Sequence, residues 1–304
     1  MTRGTAMKGI KLQLKQTPPH YARLDMSLFT TDKLLESNEL DIANISINVG
    51  LQTDHLGNWF SVSITSAEST QPLRIEVEGD LGKVDFLGNR LRDCELHVNG
   101  SVGDHLGYAM SSGAVFVKGD VGCHCANQMH GGSITVCGNA GENAGGARVC
   151  DRRGMQGGRL IVHGNVGHHA GHRMRRGTII VHADAGNGLG MRMIAGTIVA
   201  CGSVGLGMGC GMRRGTILRL GASPDHFNSH ENATNNDMER QIPGFTPAEE
   251  SELSFLPILL QSLRSDLPRS IQTQLPQTPE LLPRRGLRYQ GDRSILGLGE
   301  IISL

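Results

Sequence analysis

The chain has few aromatic residues, no long apolar run and no excess of charge of either sign. Phe, Trp and Tyr make up 4% of its 304 residues, so a thin aliphatic and methionine core is expected. No stretch of about 18 apolar residues is present, which excludes a membrane-spanning helix. No signal peptide is recognised at the start, so the expected compartment is the cytoplasm.

The cysteines do not form a disulfide framework, because their number is odd and their spacing irregular. The seven are Cys94, Cys123, Cys125, Cys137, Cys150, Cys201 and Cys210. The Cys123-His124-Cys125 triplet could suggest a metal site. Adjacent alternating residues do not converge on one tetrahedral ion, however, and no second CxxC pair is present. We therefore expect no metal there.

Glycine is abundant, with 42 residues, and it marks a repeat of 19 residues. The first glycine of each unit, replaced once by alanine, falls at Gly79, Gly100, Gly119, Gly138, Gly164, Ala183, Gly202 and Gly221. Two spacings are longer: a two-residue excess follows Gly79, and a seven-residue insertion follows Gly138. The insertion is expected to bulge out of the repeat over residues 142–153. A unit of this size cannot bury its own core, so the units must stack on one another.

Apolar columns within the repeat predict one short strand per unit. Four residues before the anchors stand Ile75, Leu96, Val115, Ile134, Leu160, Ile179, Ile198 and Ile217, and valine dominates two residues later. Alternating β-branched residues indicate strands with one buried face. We predict an all-β fold: a β-helix of about seven to eight coils over residues 71–222, an N-terminal cap over 1–70, and a linker, docking helix and extended tail over 223–304. Within the cap, the alternation from Ile10 to Leu14 predicts a strand, and a short helix is expected from Thr30 to Leu40.

Two further columns resemble metal sites. One methionine per unit recurs at Met110, Met129, Met155, Met174, Met193 and Met212, and an internal packing ladder explains it better than a copper site. Cys137, His163, His182 and Cys201 resemble a zinc set, but they stand on successive rungs. Three strand spacings of about 4.8 Å each lie between Cys137 and Cys201, which is too far for all four residues to bind one ion.

The outward strand face changes from polar to apolar along the repeats. The later units carry Ile161, Ile180, Val199 and Leu218 three residues before the anchor. Such a face needs a cover, from the chain's own ends or from a partner. Residues 246–263 predict a helix: a capping box at Thr246 to Glu249 precedes leucines on one face. Prolines between Leu267 and Pro283 predict irregular structure, followed by a tail anchored by Ile295, Leu296 and Ile301-Ile302.

No catalytic constellation has a diagnostic spacing. Glycine strings such as 186–190 belong to the repeat and precede no helix, so they do not predict a phosphate loop. The one electrostatic feature lies between Gly141 and Gly215, where the sequence contains ten arginines and only three acidic residues. Arginine forks suit carboxylates and phosphates. A contact with an acidic subunit and binding of an acidic cofactor arm both remain open, and the scarcity of aromatic residues disfavours nucleic acid.

The candidate binding residues lie in the insertion and at equivalent points of the later units. They are Arg148, Arg152, Arg153, Arg173, Arg175, Arg176, Arg213 and Arg214. Arg175-Arg176 and Arg213-Arg214 occupy the same place two units apart, so they are expected on one surface stripe. No catalytic and no metal-binding residue is predicted.

The glycine coils resemble a domain shared by the large subunit of glutamate synthase and the glycine-repeat subunit of formylmethanofuran dehydrogenase. Both ends favour the second: residues 56–62 (LGNWFSV) resemble the entry to its repeats, and residues 288–292 (RYQGD) with 296–301 (LGLGEI) are similar to its C-terminal signature. The resemblance covers about residues 56–220 and 286–302. It implies a protein without an active site of its own, whose partners carry the metal, pterin and amidohydrolase chemistry.

Two complexes contain this type of subunit. One is the archaeal tungsten or molybdenum formylmethanofuran dehydrogenase, and the other is a bacterial formyltransferase/hydrolase complex of tetrahydromethanopterin-linked one-carbon metabolism. The linker, the leucine helix and the long tail depart from the archaeal pattern and favour the bacterial complex. The resemblance then implies a hetero-oligomer with formyltransferase and amidohydrolase-type subunits and a shared methanofuran-type cofactor with an acidic tail. A glutamate-synthase-like structural domain is the third alternative.

Overall fold

A computed structural model describes residues 7–34, 37–67, 73–221, 244–295 and 297–304. The structure is mostly β. Its strands are β1 (Met7–Leu14), β2 (Leu24–Asp25), β3 (Ser46–Val49), β4 (Gln52–His55), β5 (Phe60–Ala67), β6 (Leu73–Glu78), β7 (Val84–Asp85), β8 (Cys94–Asn99), β9 (Ala114–Val117), β10 (Ser133–Val136), β11 (Gln156–Val162), β12 (Arg176–Val181), β13 (Thr197–Ala200), β14 (Arg214–Arg219), β15 (Glu249–Glu252), β16 (Arg285–Gly291) and β17 (Leu298–Ser303). Its helices are α1 (Glu39–Ala43), α2 (Leu56–Trp59), α3 (Leu256–Leu263) and α4 (Arg269–Gln274).

A 13-stranded sheet contains the strands of the repeat. Its order is β15-β16-β17-β14-β13-β12-β11-β10-β9-β8-β6-β1-β5. Apart from β7, every strand from β6 to β14 pairs in parallel with the strand of the next unit, and the register aligns the predicted apolar column, as in Ile75 with Leu96 and Ile198 with Ile217. One strand per unit and the parallel pairing are therefore confirmed. A second sheet has the order β4-β3-β2-β7.

A second row of parallel bridges runs two residues after each anchor. It joins Leu81, Val102, Val121, Ala140, Val166, Ala185 and Val204 in succession. These side chains are buried, as are those of the strand columns and all six methionines of the predicted ladder. The core is thus a continuous aliphatic and methionine column between two parallel rows.

Polar side chains satisfy the backbone at the corner after each anchor. Asp120 Oδ1 accepts a hydrogen bond from the amide of Asn139, and Asn139 Oδ1 accepts one from the amide of Asn165. Asn165 and Asp184 continue the ladder to the amides of Asp184 and Ser203. These four corner amides, which the turn leaves without a backbone partner, are therefore each paired with a side chain of the preceding unit.

The N-terminal segment extends the sheet at its first edge. The strand predicted at Ile10 to Leu14 is present as β1, which pairs in parallel with β6 and antiparallel with β5. The helix predicted from Thr30 to Leu40 is wrong as one element, because the chain forms a 3₁₀ turn at Thr31–Lys33 and then α1. Asn38 caps α1 through a capping box with Asp41, which fixes the later start.

The C-terminal segment differs most from prediction. Thr246 to Glu249 do not begin a helix: Thr246 Oγ1 accepts from the amide of Gln290, and Glu249 pairs with Arg288 in the sheet. The helix instead begins at Leu256, with a proline in its first turn. Proline did not prevent α4 either, because Pro268 lies just before its first residue, where its missing N–H costs nothing. The 223–243 part of the linker lies outside the described residues.

The predicted extended tail forms the last strands of the sheet. β17 pairs in parallel with β14, placing Ile301 opposite Ile217 and Ile302 opposite Leu218, and both isoleucines are fully buried. The tail therefore adds one further rung. Ile295 was predicted as an anchor but remains 46% exposed, and Leu296 lies outside the described residues.

The same segment covers the apolar outer face. Ile161, Ile180, Val199 and Leu218 form a buried cluster with leucines of α3 and with residues after it; the contributing side chains are Leu253, Leu256, Leu260, Leu263, Leu267, Ile271, Leu275, Leu282 and Ile302. The chain itself supplies the cover. In the part of the chain that is described, no helix is long and apolar enough to span a membrane.

Candidate functional site

Four arginines meet in a cleft of about 580 Å³ beside the later repeat units. The lining residues are Arg152, Arg173, Arg192, Ile194, Gly211, Arg213 and Ile295. Arg152 comes from the insertion, Ile295 from the C-terminal segment, and the others from three successive units. We call this the arginine cleft.

The repeat positions Arg173 and Arg192 at the same point of adjacent units. Both have left-handed backbones, with φ of 53° and 54°. The Arg173 amide donates to the Met191 carbonyl at 3.1 Å, and the Arg192 amide donates to the Cys210 carbonyl at 2.7 Å. These bonds hold the two guanidinium stems one rung apart on the same face.

The third unit has glycine at the equivalent position. A Cβ added to Gly211 would meet Arg192 Cγ at 3.0 Å, and the residue has φ of 70°. A larger side chain there would crowd Arg192 and narrow the cleft. The Gly211 amide donates to Asp292 Oδ2 at 3.1 Å, which ties this end of the cleft to the C-terminal segment.

The seven-residue insertion forms a loop beside the cleft. The Met155 amide donates a hydrogen bond to the Gly145 carbonyl at 2.8 Å, which joins the two ends of the loop. Ala144 is fully buried in the core, whereas Val149 is 99% exposed. The predicted bulge is therefore present but shorter than 142–153 at its start, and we call residues 146–154 the insertion loop.

The structure separates the predicted arginines into three groups. Arg152, Arg173 and Arg213 line the cleft. Arg153, Arg176 and Arg214 are exposed, and Arg175 is half-buried, outside the lining. Arg148 points to the opposite end of the loop, where it contacts Tyr108 and Asp151.

Sequence reasoning missed Arg192, Ile194 and Ile295 as lining residues. A signal existed for the first, since Arg192 follows Arg173 by one repeat period. Ile194 occupies the column of Arg175 and Arg213, so the basic stripe is interrupted by an apolar side chain within the cleft. Ile295 could not be placed, because its position depends on how the C-terminal strands return to the repeat.

Among the described contacts, two of the ten arginines of this region pair with carboxylates, one inside the region and one, Asp266, outside it. Arg148 Nε donates to Asp151 Oδ2 at 3.0 Å, and Arg159 Nη1 donates to Asp266 under the C-terminal cover. The hydrogen bond that Arg148 donates to the Asp151 carboxylate raises the pKa of the Arg148 guanidinium. No ion pair is found for the four cleft arginines within the described ranges. The cleft is therefore a locally unbalanced cationic site, suited to carboxylates or phosphates.

The two histidines of the Cys/His column stack on one another. The rings of His163 and His182 stack with centroids 4.7 Å apart, and His182 Nε2 donates to the Asp266 carbonyl at 2.6 Å. Burial lowers the pKa of His182. Cys137 is exposed and Cys201 is buried at the two ends. Stacking accounts for the two histidines of this column.

A second ring stack was missed from the sequence. Phe86, His105 and His124 stack with centroid separations of 4.3 and 4.9 Å, and all three have left-handed backbones. They follow the repeat, with the two-residue excess placed before Phe86. Burial lowers the pKa of both histidines.

The cysteine triplet at 123–125 does not converge. Cys125 is fully buried, and burial raises the pKa of its thiol to about 12. Its position in the core separates it from Cys123, which is half-buried. Among the described residues, no group of three or more His, Cys, Asp or Glu side chains could hold a metal ion.

Comparison with known proteins places the chain in a family. No protein-family model and no curated protein matches it. One chain in the X-ray crystal structure of the formyltransferase/hydrolase complex (FhcABCD) from Methylorubrum extorquens in complex with methylofuran is 31% identical, with a TM-score of 0.78. The match covers 96% of this chain and 98% of that chain. The protein therefore belongs to the family of that component of the formyltransferase/hydrolase complex.

Proposed function

We propose that this chain is the non-catalytic scaffold, the glycine-repeat subunit, of a cytoplasmic formyltransferase/hydrolase complex in tetrahydromethanopterin-linked one-carbon metabolism. The observation that carries the proposal is the match over nearly the full length of both chains to a chain of such a complex. The match includes the C-terminal segment, which favoured the bacterial complex over the archaeal dehydrogenase. Catalysis then lies on formyltransferase and amidohydrolase-type partner chains.

The scaffold role rests on a β-helix. We infer that each 19-residue unit is one coil, because its strand and its second bridge both pair in parallel with the next unit. Such a stack is rigid along its axis, since every backbone row is bonded to both neighbours. A rigid rod with different side chains on its faces can hold several partner chains at fixed separations.

The partners must bind elsewhere than on the apolar outer face. Ile180, Val199 and Leu218 are fully buried under the chain's own C-terminal segment. A partner could reach this face only by displacing α3 and α4. The proposed hetero-oligomer therefore uses the remaining surfaces.

We also propose that the arginine cleft holds the acidic tail of a methanofuran-type cofactor. The neighbouring complex was solved with methylofuran. The donor set fits such a tail: Arg173 and Arg192 lie one rung apart, about 4.8 Å, so that successive carboxylates can each meet a guanidinium. Ile194 and Ile295 supply apolar surface between the cations. Arg175, Arg176 and Arg214 extend the basic surface beyond the cleft.

Affinity purification of the tagged chain from its native source tests the assignment to the complex. We expect formyltransferase and amidohydrolase-type chains to co-purify in fixed ratio and to be identified by mass spectrometry. Iron–sulfur and tungsten or molybdenum subunits would instead show the dehydrogenase. Recovery of the chain alone, at low salt and without detergent, would contradict the proposed scaffold role.

A further inference from the structure

We infer that Tyr108 and Arg148 form an anchor that holds the insertion loop over the arginine cleft and so positions Arg152. Neither anchor residue lines the cleft. The anchor is part of how the cleft is built, and its role rests on the proposed binding of an acidic ligand there. Arg152 needs such a device because it is the one cleft arginine that lies outside the repeat frame.

Arg148 is held by three interactions. Its guanidinium carbon lies 4.9 Å from the centroid of the Tyr108 ring, a cation–π contact. Its Nη2 donates to the Tyr108 hydroxyl at 3.2 Å, and its Nε donates to Asp151 Oδ2 at 3.0 Å. Tyr108 belongs to an earlier repeat unit, so the contact fastens the loop to the body of the fold.

Tyr108 is itself rigidly placed. Its ring meets Phe86 edge-on at 5.7 Å and His105 at 6.4 Å. Those two rings belong to the stack that continues to His124. Because the stack is fixed by the repeat, it offers the loop an immobile contact surface.

The other end of the loop is bonded to the cleft. Arg173 Nη1 donates to the Asp151 carbonyl at 3.1 Å, and the Gly154 amide donates to the Arg173 carbonyl at 3.0 Å. Asp151 therefore accepts a hydrogen bond from Arg148 at its carboxylate and one from Arg173 at its backbone carbonyl. Arg152, the next residue, is directed to the cleft between these two points.

Asp151 connects the anchor to the cleft, and its carboxylate must be ionised to hold Arg148. Burial alone would raise its pKa, but the hydrogen bonds from Arg148 and Gln128 outweigh burial and lower it below the ordinary value. The carboxylate is thus charged at neutral pH. Between the two contacts, Val149 and Cys150 are exposed, so nothing else in the described structure covers the tip of the loop.

The substitution Tyr108→Leu tests the anchor without changing any charge. Trypsin cleaves after arginine, and Arg148, Arg152 and Arg153 lie in the loop. We expect faster cleavage within residues 148–153 of the full-length variant, because the loop opens more often. Tyr108→Trp keeps an aromatic face for Arg148 and should preserve most of the resistance. Tyr21→Leu, at a tyrosine that is 82% exposed, is the control.

Binding of a tetraglutamate peptide tests the positioning of Arg152. Arg152→Ser should weaken binding by up to about fivefold, the upper end of the range for an exposed charged contact. Tyr108→Leu should weaken it by a similar factor, and the double variant should lose little more, because both changes remove the same contact. Arg153→Ser removes an equal charge from the same loop outside the cleft lining and should have a smaller effect.

Three results would overturn the inference. The first is unchanged cleavage of the loop in Tyr108→Leu. The second is a loop that is cleaved faster while peptide binding stays as in the unmodified chain, and the third is additive losses of binding in the double variant. Failure of the unmodified chain to bind the peptide at all would contradict the acidic ligand of the proposed function, whereas the digestion still measures the anchor by itself.

Discussion

Five of the six methionines of the buried ladder end against a glycine of the next repeat unit, and Met212 lies against Gly299 of β17. A Cβ at Gly196 would lie 2.8 Å from Met174 Cε, and one at Gly215 would lie 2.6 Å from Met193 Cε. The same pairing recurs at Gly132, Gly158 and Gly177 with Met110, Met129 and Met155. The methionine and glycine columns therefore depend on one another: the absent Cβ leaves the space that the terminal methyl fills.

Met174→Ala should lower the free energy of unfolding by about 3 kcal/mol, because it empties a fully buried site that a rigid stack cannot close. Urea unfolding followed by circular dichroism measures the change. Met191→Ala, at a half-buried methionine of the next unit, should cost about 1 kcal/mol or less. Equal losses at the two sites would contradict the packing account.

The stacked histidines predict a pH dependence. Burial holds the pKa of His105 and His124 below their ordinary value, so the folded state binds fewer protons than the unfolded state. The free energy of unfolding should therefore fall as the pH drops below about 6.5 and continue to fall until the folded-state pKa values are passed. Urea unfolding at pH 7.5 and pH 5.5 measures this. The double variant His105→Phe/His124→Phe keeps flat rings in the stack and should show a smaller difference; an unchanged difference would exclude these two residues as its source.

At the scale of elements, the C-terminal segment acts as a built-in cover. α3 buries Leu256, Leu260 and Leu263 against the outer strand face, while β17 closes the open edge left by β14. The edge strand of the whole sheet is then β15, whose three glutamates are exposed. Charged edge strands resist association with other sheets.

Leu260→Asp should destabilise the cover by more than about 3 kcal/mol, since it places an unpaired charge in an apolar contact. The measurement is urea unfolding, with binding of a hydrophobic dye as a sign of the exposed face. Ile258→Asp is the matched control, because Ile258 lies on the same helix and is 70% exposed. Dye binding and stability that are the same in both variants would show that α3 does not protect the face.

The elements also show which features a sequence can predict. The repeat columns gave the strands, their register and the buried methionines, because each unit repeats the same local chemistry. The C-terminal segment was predicted less well. The capping box at Thr246 predicted the start of a helix, but the chain there pairs with β16, a long-range contact that no local pattern reveals. Proline at position 268 proved compatible with α4 because it precedes the first helical residue.

For the candidate site, the sequence predicted the charge but only part of the geometry. Three of the eight predicted arginines line the cleft, and Arg192 joins them by the period of the repeat. The different direction of Arg148 depends on Tyr108, which lies 40 residues earlier. A contact of that kind follows from the stacking of units and not from the sequence near either residue.

At the scale of the whole molecule, a neutral chain presents one strongly basic region. The ten arginines between Gly141 and Gly215 exceed the three acids there by a formal charge of +7. The apolar face is covered and the methionine column is internal, so the basic region is the surface on which an acidic ligand or partner can act. This uneven distribution of charge is the physical basis of the proposal that the scaffold also retains an acidic cofactor.

The central claim is tested most directly by the amount of furan cofactor retained per purified complex. The variant Arg173→Ser/Arg192→Ser/Arg213→Ser removes three cleft cations, and Arg269→Ser/Arg284→Ser/Arg285→Ser removes three exposed ones from the C-terminal segment. We predict that the cleft variant assembles with its partners but loses most of its cofactor, increasingly as salt is raised, while the control retains it. Equal cofactor content in the two variants would contradict the account.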